Sequence, residues 1–297
     1  MSSEQPGASL VDYLKALPQY LMPGHAISRL IHAFTRIQHP SIRKPFTRWF
    51  VRQFGINMDE ARQSDPASYP HFNAFFTREL KPGIRPICTQ ADALACPVDG
   101  RVSQAGPIRA GRVFQAKGHD YSLQTLLGGD AELAARFAGG HFTTIYLSPR
   151  DYHRIHMPCA GTLREMILVP GRLFSVNPAT TRVIPGLFAR NERVVSIFDT
   201  EFGPMAMVKV GAVNVGSIET VWAGEVSPPA AKRITRWQYQ GEQAMTLAKG
   251  EEMGRFNMGS TVVLVMANPT LQWAEGFVTK APVRLGQCIA TLNPSAS

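Results

Sequence analysis

From about residue 92 onward the chain is written in short runs of β-branched and aliphatic residues broken by glycine and proline, and this texture restricts the fold more than any other feature. Arg101-Val102-Ser103, Phe142 to Leu147, Val194 to Phe198, Met205 to Val210 and Ser260 to Val265 are such runs. Each has the length of a strand and is flanked by turn formers, so the spacing predicts a β-dominated core. One helical interlude is expected over Ser122 to Phe137, ended by Gly139-Gly140. Ahead of this core the period changes. Ile27, Leu30, Ile31, Phe34 and Ile37 recur at three- and four-residue steps, with Ser28, Arg29, His32, Thr35 and Arg36 between them, which is an amphipathic helix. Pro40 is expected to end it, and a second helix to start near Ser41 as its cap, carrying Phe46, Trp49, Phe50 and Phe54. The expected fold class is α+β, with N-terminal amphipathic helices over 1–60 and a β-rich domain over 61–297.

Charge separates the same two regions. The 297 residues carry 31 Lys+Arg against 22 Asp+Glu, a net charge of +9. No acidic residue lies between Asp12 and Asp59, whereas Lys15, Arg29, Arg36, Arg43, Lys44, Arg48 and Arg52 all do. Excess positive charge points to an anionic partner. Nucleic acid is not expected, because no helix-turn-helix, zinc-finger or RNA-binding sheet signature is present. Two readings of the helices remain: their apolar faces pack on the protein's own core, or they form a membrane-binding pair in which Ile27, Leu30, Ile31, Phe34, Phe46, Trp49 and Phe50 enter the headgroup region while Arg29, Arg36, Arg43, Lys44 and Arg48 meet anionic lipid. No run approaches the 18 or so apolar residues of a spanning helix. Met1 to Pro6 lack the basic and apolar regions of a secretory signal, so the expected location is peripheral, on the cytoplasmic side of the cell membrane. Cys88, Cys96, Cys159 and Cys288 form no C-x-x-C pair and are expected to be buried or incidental thiols.

Three segments carry residue types suited to catalysis: Cys96-Pro97-Val98-Asp99-Gly100-Arg101, Ser148 to Pro158 with His153 and His156, and Phe256-Asn257-Met258-Gly259-Ser260-Thr261. Asp before Gly at a strand end is ordinarily a turn, and Gly-Ser at a strand mouth likewise. Two histidines three apart suit a metal only with a third ligand, and none is spaced nearby, so no metal is expected. Together the segments supply a carboxylate (Asp99), an imidazole (His156) and a hydroxyl (Ser260). Such a set serves a hydrolase acting on an external acyl group, or a chain in which Ser260 attacks the carbonyl of Gly259. Glycine suits the second, since a missing Cβ permits strained dihedrals and exposes the carbonyl.

The chain texture holds two resemblances. Pro97 to Val102 and Arg284 to Leu292 are similar to the two halves of the barrel-sandwich of biotinyl and lipoyl carrier domains, without the modifiable lysine hairpin, so barrel-sandwich-like elements are expected in the core. More specifically, Phe75-Phe76-Thr77-Arg78-Glu79-Leu80-Lys81-Pro82-Gly83-Ile84-Arg85-Pro86, the Pro-Val-Asp-Gly segment, Tyr152-His153-Arg154-Ile155-His156-Met157-Pro158 and Gly259-Ser260-Thr261 resemble the phosphatidylserine decarboxylase family in its membrane-associated bacterial form. The family's typical Leu-Gly-Ser-Thr has Met258 in place of Leu here; the two are alike in volume and polarity, so processing is expected to survive.

The resemblance implies a proenzyme. Asp99 and His156 activate Ser260, which cuts the chain at Gly259-Ser260 into a β chain, 1–259, and an associated α chain, 260–297. Ser260 becomes a covalent pyruvoyl group, the only cofactor implied, and forms a Schiff base with the amine of phosphatidylserine, leading to phosphatidylethanolamine and CO2. His153 is implied as the proton donor, with His156 as its rival. The implied partners are the lipid substrate, an anionic membrane surface and a possible second copy of the chain. The alternatives are a serine hydrolase using Asp99, His156 and Ser260 without self-cleavage, and a non-enzymatic β module that binds anions through its basic N-terminal third.

Overall fold

Thr261–Met266 forms a strand buried at every position. It pairs antiparallel with His141–Tyr146 on one side and Gly203–Val210 on the other. A strand paired on both edges and covered on both faces has no solvent side to reserve for polar residues, hence the unbroken run Val262 to Met266. Truncating Leu264 to alanine there would cost roughly 2–5 kcal/mol of stability. In the computed structural model, residues 8–116, 119–213, 217–227, 233–258 and 260–292 are described. The main sheet runs in the order Thr235–Gln238, Gly161–Val169, Arg193–Thr200, Gly203–Val210, Thr261–Met266, His141–Tyr146, Gly100–Pro107 and Pro282–Val283, with Met245–Leu247 also paired to Gly161–Val169. A second sheet joins Gly224–Ser227, Ile218–Thr220, Glu252–Phe256 and Arg154–His156; a third joins Ala93–Ala95, Cys288–Thr291 and Gln272–Trp273. The fold is α+β with a β-rich core. The two barrel-sandwich-like pieces do meet, through the Leu285 N–H donating to Asp99, and the flanking strands Pro282–Val283 and Ala93–Ala95 pair with Gly100 and Arg101 and with Cys288–Thr291, but they extend open sheets and close no barrel among the described residues.

Local chemistry corrects three sequence expectations. The interlude over Ser122 to Phe137 is two short helices, Leu123–Leu126 and Ala131–Ala135, because Gly128 and Gly129 take φ of 96° and 90° and Asp130 then caps a new start. The second N-terminal helix is Pro40–Phe54, with proline in its first turn and no side-chain cap; Ser41 lies inside it. Cys88 and Cys288 form a disulfide, while Cys96 and Cys159 are buried free thiols. The pairing is hidden in the sequence because 200 residues separate the two cysteines, and the Cys88 N–H donating to the Gly286 carbonyl draws their segments together.

The N-terminal helices Leu10–Ala16, Gly24–Thr35 and Pro40–Phe54 turn several small or polar residues inward. Asp12 is buried against Arg182, and the Ser28 hydroxyl donates to the Val213 carbonyl at 3.0 Å. Thr35 and Thr47 are buried as well. Leu10, Leu14, Leu17, Leu21, Leu30 and Trp49 are exposed, Leu21 at 90% and Leu30 at 71%. In Leu10–Ala16 and Gly24–Thr35 this distribution is the reverse of a helix whose apolar stripe packs on its own core.

Candidate active site

Strand order brings the three motifs to one end of the main sheet. Gly100–Pro107, His141–Tyr146 and Thr261–Met266 are neighbours, so Asp99, Leu147 and Ser260 stand where the first and third strands begin and the second ends. With strands about 4.8 Å apart, Asp99 and Ser260 lie two strand spacings from one another. The Leu147 N–H donates to the Ser260 carbonyl at 3.0 Å. A Cβ on Gly100 would come within 2.5 Å of the Tyr146 carbonyl oxygen, so the Asp-Gly pair marks a close backbone approach at the sheet end. The His segment is tied in by its backbone: the His156 N–H donates to the Pro97 carbonyl at 2.9 Å, and the Phe256 N–H donates to the His153 carbonyl at 3.0 Å.

Ser260 is fully buried and its Oγ has no hydrogen-bond partner among the described residues. Met258, two residues earlier, has φ of 147°, a backbone conformation that L-residues rarely adopt. Gly259, half of the expected cleavage site, lies outside the described residues. His153 is also fully buried, stacked on Phe76 at 4.1 Å between ring centres. Its Nε2 is 3.1 Å from the Ser148 carbonyl oxygen, which only accepts, so the proton sits on Nε2. Nδ1 is left as an unpartnered lone pair. Burial, then the charge of Arg78, pushes the His153 pKa down to about 3.

His156 donates through Nδ1 to the Gly250 carbonyl at 2.8 Å, and its Nε2 accepts from the Tyr152 hydroxyl at 3.1 Å. Burial lowers its pKa as well. Asp99 is engaged elsewhere: its carboxylate accepts from Arg85 Nε at 3.0 Å, Arg85 Nη2 at 2.7 Å and the Leu285 N–H at 2.8 Å. The structure thus gathers Asp99, His153, His156 and Ser260 at one end, with no hydrogen bond from Asp99 to His156 or from either imidazole to Ser260. Arg85, Tyr152 and the Gly250 carbonyl, which orient these groups, were not singled out from sequence. Arg85 and Tyr152 lay within the quoted segments; the carbonyl left no sequence signal at all.

A cavity of about 150 Å³ opens beside Met258, walled by Phe50, Phe54, Phe76, Leu147 and Val213. Its wall corrects one membrane expectation. Phe50 is 5% exposed, held in an aromatic cluster with Phe46, Phe54, Phe72, Phe75 and Phe76, and is not presented at the outer surface where a bilayer would meet it. The cluster crosses residue 60, so the N-terminal helices and the catalytic end share packing. Of the other residues expected at a membrane, Arg29, Leu30, Phe34, Arg48 and Trp49 are exposed, and Ile27, Ile31, Lys44 and Phe46 are half-buried. Arg36 pairs with Glu225, and Arg43 donates to the carbonyls of Ala67 and Tyr69.

Comparison with known proteins decides the family. A sequence profile described as phosphatidylserine decarboxylase matches residues 72–291. The chain belongs to the phosphatidylserine decarboxylase family. It is an enzyme, a decarboxylase. A second profile, described as PSD, matches residues 14–55, the N-terminal helices. A phosphatidylserine decarboxylase proenzyme of Shewanella baltica is 57% identical over 286 residues, covering 95% of this chain and 98% of its own. Proenzymes of the same description from Shewanella loihica and Shewanella amazonensis are each 56% identical over 286 residues, covering 95% of this chain and all of theirs. Among the described residues no helix is long and apolar enough to cross a membrane, and no group of three or more His, Cys, Asp or Glu is arranged to hold a metal ion.

Proposed function

We propose that this chain is a proenzyme that cuts itself between Gly259 and Ser260 and then decarboxylates phosphatidylserine to phosphatidylethanolamine. The observation that carries the reading is the Ser260 hydroxyl: fully buried, without a partner among the described residues, and two residues beyond a strained Met258. An idle buried hydroxyl is costly, and backbone strain persists where it serves a function. Ser260 Oγ attacks the Gly259 carbonyl, the peptide nitrogen leaves, and an ester links the two residues. Elimination across Cα–Cβ of residue 260 breaks the ester, leaving a carboxylate on Gly259 and a dehydroalanine on the downstream chain. Addition of water to its tautomer and loss of ammonia leave the pyruvoyl group.

Both imidazoles suit the proton transfers. Each is held neutral by burial, so each offers a lone pair at neutral pH: His156 at Nε2, relayed through the Tyr152 hydroxyl, and His153 at Nδ1. We assign His156, with the Asp99–Arg85 pair bracing the nearby backbone, to activation of Ser260, and His153 to a proton relay in which its Nδ1 takes the proton that the substrate ammonium gives up and returns it to the substrate carbon as CO2 leaves. The pyruvoyl group supplies an electron sink for the pair released as CO2 departs. The cavity beside Met258 is apolar and faces the N-terminal helices, which suits entry of a lipid whose acyl chains stay in the bilayer. Residues 1–60 then serve as the membrane-associating segment, with exposed leucines beside Lys15, Arg29 and Arg48, and 61–297 as the catalytic domain of a peripheral enzyme on the cytoplasmic face.

The test is a pair of variants assayed for cutting and for CO2 release from phosphatidylserine vesicles. Ser260→Ala stays whole and inactive; His153→Ala cuts but loses turnover at least a hundredfold. Turnover by an uncut Ser260→Ala chain would overturn the proposal.

A further inference from the structure

A cavity of about 360 Å³ beside Asp99 is walled by five arginines: Arg78, Arg85, Arg101, Arg150 and Arg284. Its three carboxylates do not account for them. Glu60 and Asp99 are matched to Arg85, with Arg284 at 3.8 Å from Glu60. Asp151 accepts from the Ser148 N–H and hydroxyl, both at 2.7 Å. Arg78, Arg101 and Arg150 form no salt bridge among the described residues.

Arg78 is the decisive group. It is 4% exposed, with its guanidinium over the Phe75 ring at 5.6 Å. Its Nη2 donates to the Arg150 carbonyl at 3.2 Å, whereas Nε and Nη1 are buried without a partner among the described residues. Arg78 also lines a second cavity, where Glu79 is already matched to Arg62 and Arg154. Unmatched charged donors in a protein interior are among the most costly groups to leave empty. A guanidinium edge presents a planar fork that fits two oxygens of a phosphate.

We infer that this cavity is an oxyanion site in which Arg78 grips a phosphate group, either the phosphodiester of the lipid headgroup or free phosphate. Only the headgroup source rests on the proposed function. It is favoured by position, since Asp99 and Tyr152 line the same cavity. A phosphate there would also offset the charge of Arg78 at His153 and so ease protonation of that imidazole.

The test uses the full-length Ser260→Ala chain, which requires no self-cleavage, titrated calorimetrically with glycerophosphoserine and with inorganic phosphate. Binding is expected, with affinity lowered tenfold or more by Arg78→Lys. If Arg78→Lys does not fold, Arg101→Gln, an exposed position on the same wall, is expected to weaken binding about threefold. Tighter binding of glycerophosphoserine, together with phosphate raising KM for lipid in the wild-type enzyme at constant kcat, assigns the site to the headgroup. Equal binding with lipid turnover untouched assigns it to free phosphate. No binding of either probe, or affinities unchanged in the folded variants, overturns the site. A wild-type chain that binds phosphate yet never cuts itself overturns the proposed function and leaves the anion site standing.

Discussion

His153 and Met258 are each held away from their ordinary state by the fold. Between about pH 6.5 and 3 the unfolded chain binds a proton at His153 that the native chain refuses, since burial pushes that pKa down to about 3. Stability from this group is therefore complete above pH 6.5 and is lost on acidification, at up to roughly 1 kcal/mol per pH unit. Urea titrations between pH 6.5 and 5 are expected to show a steep loss in wild type and a shallower one in His153→Gln, which keeps a donor for Ser148 but does not titrate. Met258 at φ of 147° stores strain of about 1–3 kcal/mol, which glycine would relieve. Met258→Gly is therefore expected to slow self-cleavage about tenfold or more, while Met258→Ala, which loses the side chain but keeps the strain, stays closer to wild type; timed gels of the precursor check this. Asp99, His156 and Ser260 were legible as residue types that belong together. Their actual partners were not, because a carbonyl such as that of Gly250 and a guanidinium such as that of Arg85 join the site through folding.

The N-terminal helices show how far periodicity reaches. Three- and four-residue spacing located the Gly24–Thr35 helix, and spacing alone left open which face meets the protein. The inward face is set by Ser28 and Thr35, which seat close to the body, and by Asp12, held by Arg182; the long apolar side chains are left outside. Burial of one exposed leucine in a bilayer is worth roughly 1.5–3 kcal/mol. Replacing Leu14, Leu21 and Leu30 together by serine is expected to weaken sedimentation with anionic vesicles at least tenfold, with the thermal midpoint nearly unchanged. The membrane-contacting residues expected within 1–60 begin at Ile27 and leave out Leu10 to Leu21, whose shorter helix and 3-10 turn carry no extended period. Phe50 erred the other way. Its spacing is that of an amphipathic helix, but Phe72, Phe75 and Phe76 arrive from another helix to cover it.

At the scale of the molecule, the β-rich texture specified a β-dominated core because fully buried strands leave a plain record, as Val262 to Met266 does. Pairing across 200 residues leaves none, which is why the Cys88–Cys288 bridge escaped the sequence reading. That bridge joins the two products of the proposed cut, since Cys88 precedes residue 259 and Cys288 follows it. Oxidised wild-type protein is expected to run as one species on a non-reducing denaturing gel and as two after reduction; separation without reductant would show the bridge to be open. The strand Thr261–Met266, paired on both edges, holds the fragments together in either state. The most direct test of the whole account is the intact mass of the purified, reduced wild-type protein. Self-cleavage at Gly259-Ser260 requires two fragments, one of 297 − 259 = 38 residues whose N terminus is blocked and reacts with hydroxylamine, and a single uncut chain active on phosphatidylserine would contradict it.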